Sequence, residues 1–341
     1  MNQEKTAILL MNVGSPDKPT IPSVSKYLIR FLNDKRVIDL PWLLRKFLVN
    51  AIIIPFRVRK TTGLYRLLWT KNGSPLIFYS EKLKTKLQTR LGNYFEVFLG
   101  MRYGNPSYKS ALGEIKNKGF KKIIILPLFP QYAVSTTETS LVAAETEIKK
   151  LRIQAKIFKI EQFYNHPKFI DAFVAQVKKN DLEKFNHVIF SYHGLPNRQV
   201  EKCHPGIKIE NCTCDKSLPE NGKLCYRATC YETTRLIADK LNLETEKYSV
   251  GFQSRLSVNW LIPFTDEIIQ KKLSEGNKNI LVIAPSFVTD CLETIFEIGI
   301  KYGEEFHKNG GERFKLVESL NAEEKWMETL VEIISAQIKV I

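Results

Sequence analysis

Short β-branched runs alternate with helical periodicity along almost the whole chain, and this alternation limits the fold more than any other feature. Residues 7–12, 95–99, 122–128, 187–192, 248–252, 280–285 and 314–318 read as strands. Between them, 80–91, 107–118, 139–151, 167–179 and 229–241 carry helical spacing, and 322–338 closes the chain as an amphipathic helix. Strands that alternate with helices pair in parallel, because each crossover helix returns the chain to the same end of the sheet. The pattern runs once to about residue 160 and then starts again. The expected fold class is therefore α/β, with two Rossmann-like, doubly wound halves, each a parallel sheet flanked by helices. The halves are 1–160 and 161–341, and an insertion at about 197–230 interrupts the second. A chain of 341 residues with 44% apolar and 26% charged residues has the length and composition for this.

The usual occupant of such a fold is missing. There is no G-x-G-x-x-G and no G-x-x-x-x-G-K-[ST], and Asn12-Val13-Gly14-Ser15-Pro16 after the first strand is too sparse to cradle a phosphate. No run reaches the roughly 18 apolar residues that span a bilayer, and the N-terminal apolar run is too short for a signal peptide. These features point to the cytoplasm, where clustered cysteines suggest metal or redox chemistry. The formal charge is +15, but the basic residues are scattered and no nucleic-acid signature accompanies them. Pro41 to Phe56, followed by Arg57, Arg59 and Lys60, mixes aromatic, aliphatic and cationic residues as interfacial segments do. Two readings stand for it: peripheral contact with the inner membrane, or a buried helix with basic flanks.

Ligands of open α/β sheets bind at the carboxyl ends of the strands, and two such ends carry chemistry here. Phe190-Ser191-Tyr192-His193-Gly194-Leu195-Pro196 ends one strand in a histidine on a Gly-Pro turn. Ala284-Pro285-Ser286 ends another and leads to Asp290-Cys291-Leu292-Glu293-Thr294. His193 and Glu293 are positioned to converge across the sheet, a pair suited to proton transfer or to a divalent metal. Glu293 and Glu297 are four apart and would share a helix face. Cys203, Cys212, Cys214, Cys225 and Cys230 fall within 28 residues, with His204 beside the first. They lack the paired C-x2-C knuckles of a zinc ribbon. Iron–sulfur clusters accept looser thiolate spacings, and five cysteines for four places leave one spare.

Assembled in order, these residues resemble the ferrochelatase family, whose members insert ferrous iron into a porphyrin. The likeness runs through residues 7–16, Tyr27-Leu28, 31–39, Gly73-Ser74-Pro75-Leu76, Met101-Arg102-Tyr103-Gly104, and 127–132 followed by Ser135-Thr136-Thr137. It continues through Ser191 to Pro196, Phe252-Gln253-Ser254-Arg255 with Trp260, and Asp290 to Thr294. The resemblance implies a lyase of haem biosynthesis that forms haem from protoporphyrin IX or coproporphyrin III with release of two protons. It places the family's essential His and Glu at His193 and Glu293, with Glu297 as a metal ligand or relay. Arg102, Tyr103 and Trp260 match porphyrin-lining positions in a cleft between the halves. Fe2+ would be substrate, and the insertion resembles bacterial members with an internal 2Fe–2S cluster drawn from Cys203, Cys212, Cys214, Cys225 and Cys230. Three positions depart from common family patterns. Cys291 stands where some members have His, Lys301 where some have a third carboxylate, and Val134 where animal enzymes have a cluster cysteine. A related cobalt–tetrapyrrole chelatase and a non-catalytic haem or metal carrier are the rival functions.

Overall fold

The structure is a computed structural model and describes residues 5–203, 206–255 and 257–339. Among these, eight strands form two sheets: β1 Thr6–Asn12, β2 Phe95–Met101, β3 Lys122–Pro127, β4 Lys156–Lys159, β5 His187–His193, β6 Tyr248–Gln253, β7 Asn279–Ile283 and β8 Arg313–Leu316. The sheet orders are β2-β1-β3-β4 and β6-β5-β7-β8, and every pairing is parallel. The two orders are the same pattern, so the repeat expected from the sequence is present. β1 is buried along its whole length. This is why it reads as a continuous apolar run: helices cover both faces of a parallel sheet.

The chain divides into two compact units. Unit 1 comprises 1–129, 134–161 and 330–341; unit 2 comprises 130–133 and 162–329. In unit 1 the helices Tyr108–Asn117 and Thr139–Lys150 pack Leu112, Ile115, Leu141, Ala144 and Ile148 on Leu9, Met11, Ile123 and Ile125. Ser107 caps the first of them, its side chain accepting the Ser110 amide at 3.1 Å. In unit 2, Ile268, Ile269, Ile298, Tyr302 and Phe306 cover Ile189, Ile280 and Val282.

Three elements differ from the sequence reading. β4, Lys-Ile-Phe-Lys, was not expected; it is a short edge strand whose lysines hide the apolar signal and blunt the open edge. The buried-helix reading of 41–56 gives way. Helix Trp42–Phe47, the π-helix Leu48–Ile53 and helix Ile54–Leu68 bury Val49, Ile54, Val58 and Tyr65. Trp42, Leu43, Phe47 and Phe56 are 60%, 74%, 63% and 81% exposed. Finally, Glu293 and Glu297 lie on a π-helix, Glu293–Tyr302, and not on an α-helix. Its wider i→i+5 ladder is a form that recurs at functional sites.

Candidate active site

Unit 2 gathers its reactive side chains at the carboxyl edge of its sheet. His193 is the last residue of β5 and lies opposite Gln253, the last residue of β6. Gly194 turns the chain there against β6. A Cβ at that position would meet the Gln253 carbonyl at 2.8 Å and the Trp260 ring at 3.3 Å, so only glycine allows this approach. The Gly194 amide donates to the Gln253 carbonyl at 2.8 Å, and the Leu261 amide donates to Leu195 at 2.9 Å. Trp260 is thereby fixed against the turn. Its ring lies 6.5 Å from that of His193, and Phe287 from the loop after β7 lies 6.4 Å away on its own approach.

His193 Nδ1 lies 2.7 Å from the Gly194 carbonyl oxygen. A carbonyl only accepts, so Nδ1 carries the proton and Nε2 of the neutral ring keeps its lone pair. The turn thus sets the tautomer that a base or metal ligand requires.

The loop that brings Phe287 to His193 continues to Glu293, the first residue of the π-helix. Buried Asp290 organises that start. Its Oδ2 accepts from Asn321 Nδ2 at 2.7 Å, and its Oδ1 accepts from Thr294 Oγ1 at 3.2 Å and the Ser319 amide at 3.3 Å. Cys291 is buried beside Glu293. Burial first, and then the Glu293 charge, push its thiol far above the usual range. Glu297 is held more tightly than the sequence suggested. Ser254 donates its amide to Oε1 at 3.0 Å and its hydroxyl to Oε2 at 2.5 Å, and Tyr302 donates its hydroxyl to Oε1 at 3.1 Å. Ser254 reaches it with φ +63°. Burial and the Glu297 charge raise the Tyr302 phenol strongly, so it stays a donor. Lys301 lies over the Tyr302 ring at 5.3 Å.

Unit 1 presents Arg102 and Tyr103 directly after β2. Both are tied to Asp34, which the sequence reading quoted in a motif but gave no role. Arg102 Nη2 and the Tyr103 hydroxyl donate to Asp34 Oδ2 at 2.6 and 2.9 Å. Tyr103 is 3% exposed, so the phenol is a buried part of this network.

The cysteines separate. Cys212, Cys214 and Cys225 interact through their thiols, and Cys225 Sγ caps helix Tyr226–Leu241 by accepting the Ala228 amide at 3.5 Å. Arg227 Nη1 donates to Cys214 Sγ at 3.3 Å and to the Cys212 carbonyl at 2.9 Å. The Cys225 hydrogen bond and burial raise the Cys214 thiol strongly. Cys230 is fully buried on the same helix, where burial raises it as well. Cys203 is half-buried, and His204 lies outside the described residues. Among the described residues, no three His, Cys, Asp or Glu side chains are disposed to hold a metal ion. The thiols therefore meet as hydrogen-bonded thiols and not as ligands around one point. As cysteines they are the right kind of donor for a thiolate-bound group, and Arg227 stands beside Cys214, but Cys212, Cys214 and Cys230 are all raised towards the neutral thiol.

A duplicated four-stranded parallel sheet with its histidine and carboxylates at the carboxyl edge is the fold of the chelatases. Two solved structures share it over the chain's length. SirB from Bacillus subtilis with Fe3+ superposes with a TM-score of 0.54 at 11% identity, covering 98% of this chain and 95% of that one. The sirohydrochlorin chelatase SirB from Bacillus subtilis subspecies spizizenii in complex with cobalt gives 0.51 at 10% identity, with the same coverage. The ferrochelatase family model matches residues 5–338. Ferrochelatase of Coxiella burnetii (strain Dugway 5J108-111) is 42% identical, covering 97% of this chain and 94% of its own length. That of Legionella pneumophila (strain Corby) is 42% identical, covering 98% and 100%. The chain belongs to the ferrochelatase family. It is a metal chelatase, a lyase of haem synthesis acting on a porphyrin and ferrous iron, and the cobalt-chelatase and carrier readings fall away.

Proposed function

We propose that iron insertion is carried out at the carboxyl edge of the second sheet, with His193 and Glu293 as catalytic residues. The observation that carries this is the His193 hydrogen bond: the Gly194 carbonyl accepts from Nδ1–H, so Nε2 is the ring nitrogen left to accept a proton or bind a metal. Metallation must remove two pyrrole protons while the aqua ion loses its water. His193 Nε2 accepts a proton or binds the incoming iron, and Glu293 takes the other role, each being an N or O donor suited to Fe2+. Glu297, its carboxyl oriented by Ser254 and Tyr302, is assigned the part of metal ligand or relay. Trp260 supplies an apolar wall next to His193; in the first unit the partly exposed Arg102 is assigned a porphyrin contact, whereas Tyr103, buried on Asp34, is withdrawn from that role. Protoporphyrin IX is taken as the substrate to test first, with coproporphyrin III as its alternative. Purified protein given Fe2+ and protoporphyrin IX anaerobically forms haem, with coproporphyrin III run in parallel. His193→Ala and Glu293→Gln each lower kcat by more than 100-fold. Full activity in either variant overturns the residue assignment, and a clear preference for coproporphyrin III overturns the choice of substrate.

The cysteine insertion is assigned a resident 2Fe–2S group held by Cys212, Cys214, Cys225 and either Cys203 or Cys230. Support comes from the thiols of Cys212, Cys214 and Cys225 in hydrogen-bonded contact and from Arg227 beside Cys214. Such a group would supply a structural or redox-sensing element, and no step of iron insertion uses it. Visible absorption of anaerobically purified protein is expected and should be lost in Cys225→Ser; zinc, or no metal, on elemental analysis overturns it. The exposed apolar and basic face of residues 42–60 is read as a peripheral membrane contact, tested below.

A further inference from the structure

Asp34 follows helix Ile21–Leu32 and lies in a loop with no regular structure of its own. Its side chain is only 6% exposed, which for a carboxylate requires partners. It has four, from three segments. Oδ2 accepts from Arg102 Nη2 at 2.6 Å, Tyr103 Oη at 2.9 Å and Thr139 Oγ1 at 2.6 Å, and Oδ1 accepts the Arg36 amide at 2.9 Å. Three of the four donors converge on Oδ2, and Oδ1 takes one. The Thr139 hydroxyl gives its proton to Asp34 and accepts from Arg102 Nε at 3.2 Å, so every proton in the triangle has one direction. The Arg102 guanidinium also lies 4.7 Å from the Tyr103 ring centre and 5.6 Å from that of Tyr108. It is held on two edges and one face, and its side chain keeps 21% exposure. The same loop is tied a second time, by Arg36 Nε to Glu138 Oε1 at 2.7 Å, next to Thr139.

We propose that Asp34 is a positioning residue for substrate recognition, fixing the Arg102 guanidinium so that its exposed edge receives a porphyrin carboxylate at the carboxyl end of the first sheet. This rests on Arg102 lining the porphyrin site. Arg102 has five N–H donors, and the two given to Asp34 and Thr139 stop the fork from turning. A carboxylate recognised by a pre-set fork does not have to immobilise the long side chain, an entropic cost of binding that otherwise falls on association. Asp34 also neutralises Arg102 from the buried side, and these hydrogen bonds, with the Arg102 charge, keep its carboxyl below the usual range against the opposing effect of burial.

The test compares binding of protoporphyrin IX and its dimethyl ester, by fluorescence titration, to the full-length chain and its variants. Asp34→Asn should weaken binding of the diacid at least tenfold and of the ester by less than threefold, with the kinetic loss in KM more than kcat. Asp34→Asn combined with Arg102→Gln should bind no worse than Arg102→Gln alone, because the two act as one unit. Equal loss for diacid and ester, or additive losses in the double variant, overturns the proposal and leaves Asp34 a structural brace. Should Asp34→Asn fail to fold, Thr139→Val, which removes one strut, should show the same diacid-selective loss of about threefold. If wild-type protein forms no haem, the functional reading fails. If wild type is active and binds diacid and ester alike, Arg102 meets no carboxylate, and this inference alone fails.

Discussion

Ser254 adopts φ +63°, a left-handed backbone that costs a non-glycine residue about 1–2 kcal/mol. In return its amide and hydroxyl meet both oxygens of Glu297. Stability and activity should therefore part in Ser254→Gly. The substitution relieves the strain and so offsets the stability lost with the hydroxyl's hydrogen bond, leaving the midpoint of thermal unfolding little changed, while loss of the hydroxyl should lower kcat several-fold; kcat unchanged would show that the clamp has no part in turnover. His187 lies at the opposite end of β5 from His193. It is buried, with Nε2 2.9 Å from Ser249 Oγ, and burial, aided by Lys272, lowers its pKa to about 4. The folded protein thus binds this proton less well than the unfolded chain, whose histidine titrates near 6.5. Stability is full above about pH 6.5 and falls as pH drops towards 4, by about 2–3 kcal/mol. Chemical denaturation across that range should show the slope, and His187→Gln should flatten it. That His193 ends a strand and that Glu293 and Glu297 share one helix was legible from strand ends and spacing. Asp34, Ser254 and Tyr302 were not, because their roles depend on partners 43 to 105 positions away for Ser254 and Asp34 and, for Tyr302, on a helix of unexpected pitch.

Among the elements, the π-helix carrying Glu293 and Glu297 depends most on its first turn. Asp290, Thr294, Ser319 and Asn321 fasten it to the chain after β8. Asp290→Ala would strand buried donors at about 1–3 kcal/mol for each group left unpaired. We expect a loss of about 3 kcal/mol in unfolding free energy together with at least a tenfold fall in kcat, measured at a temperature where the variant is folded. Stability lost with kcat retained would show that Glu293 finds its place without this anchor. The alternation of strands and helices was readable because a parallel sheet buries both faces and leaves uninterrupted apolar runs. The π-helices at 48–53, 134–138 and 293–302 were not. Amphipathic spacing does not record a change in hydrogen-bond register, and at such short lengths it fits either ladder.

At the scale of the whole molecule, an excess of 15 positive charges adds to a local one. Trp42, Leu43, Phe47 and Phe56 stand exposed among Lys46, Arg57, Arg59 and Lys60. No helix among the described residues is long and apolar enough to cross a membrane, so contact would be at the surface. Vesicles containing anionic lipid should sediment the protein, neutral vesicles much less, and salt should release it. Leu43→Ser with Phe47→Ser should weaken binding at least tenfold; unchanged sedimentation would reassign this face. The doubled sheet was legible from the pattern repeating near residue 160, but the path of the chain between the units was not. The segments 130–133 and 330–341 each belong with the unit on the other side of that point. Leu330, Ile333 and Ile334 in the second of them are buried. This exchange has a consequence for biosynthesis. Domains generally fold in the order they leave the ribosome, at about 5–20 residues per second. Here the half made first lacks a buried piece of itself until residues 330–341 have been made, so it should mature after the half made second. A released chain truncated after residue 329 should hold a protease-resistant second unit and a first unit that is still cut.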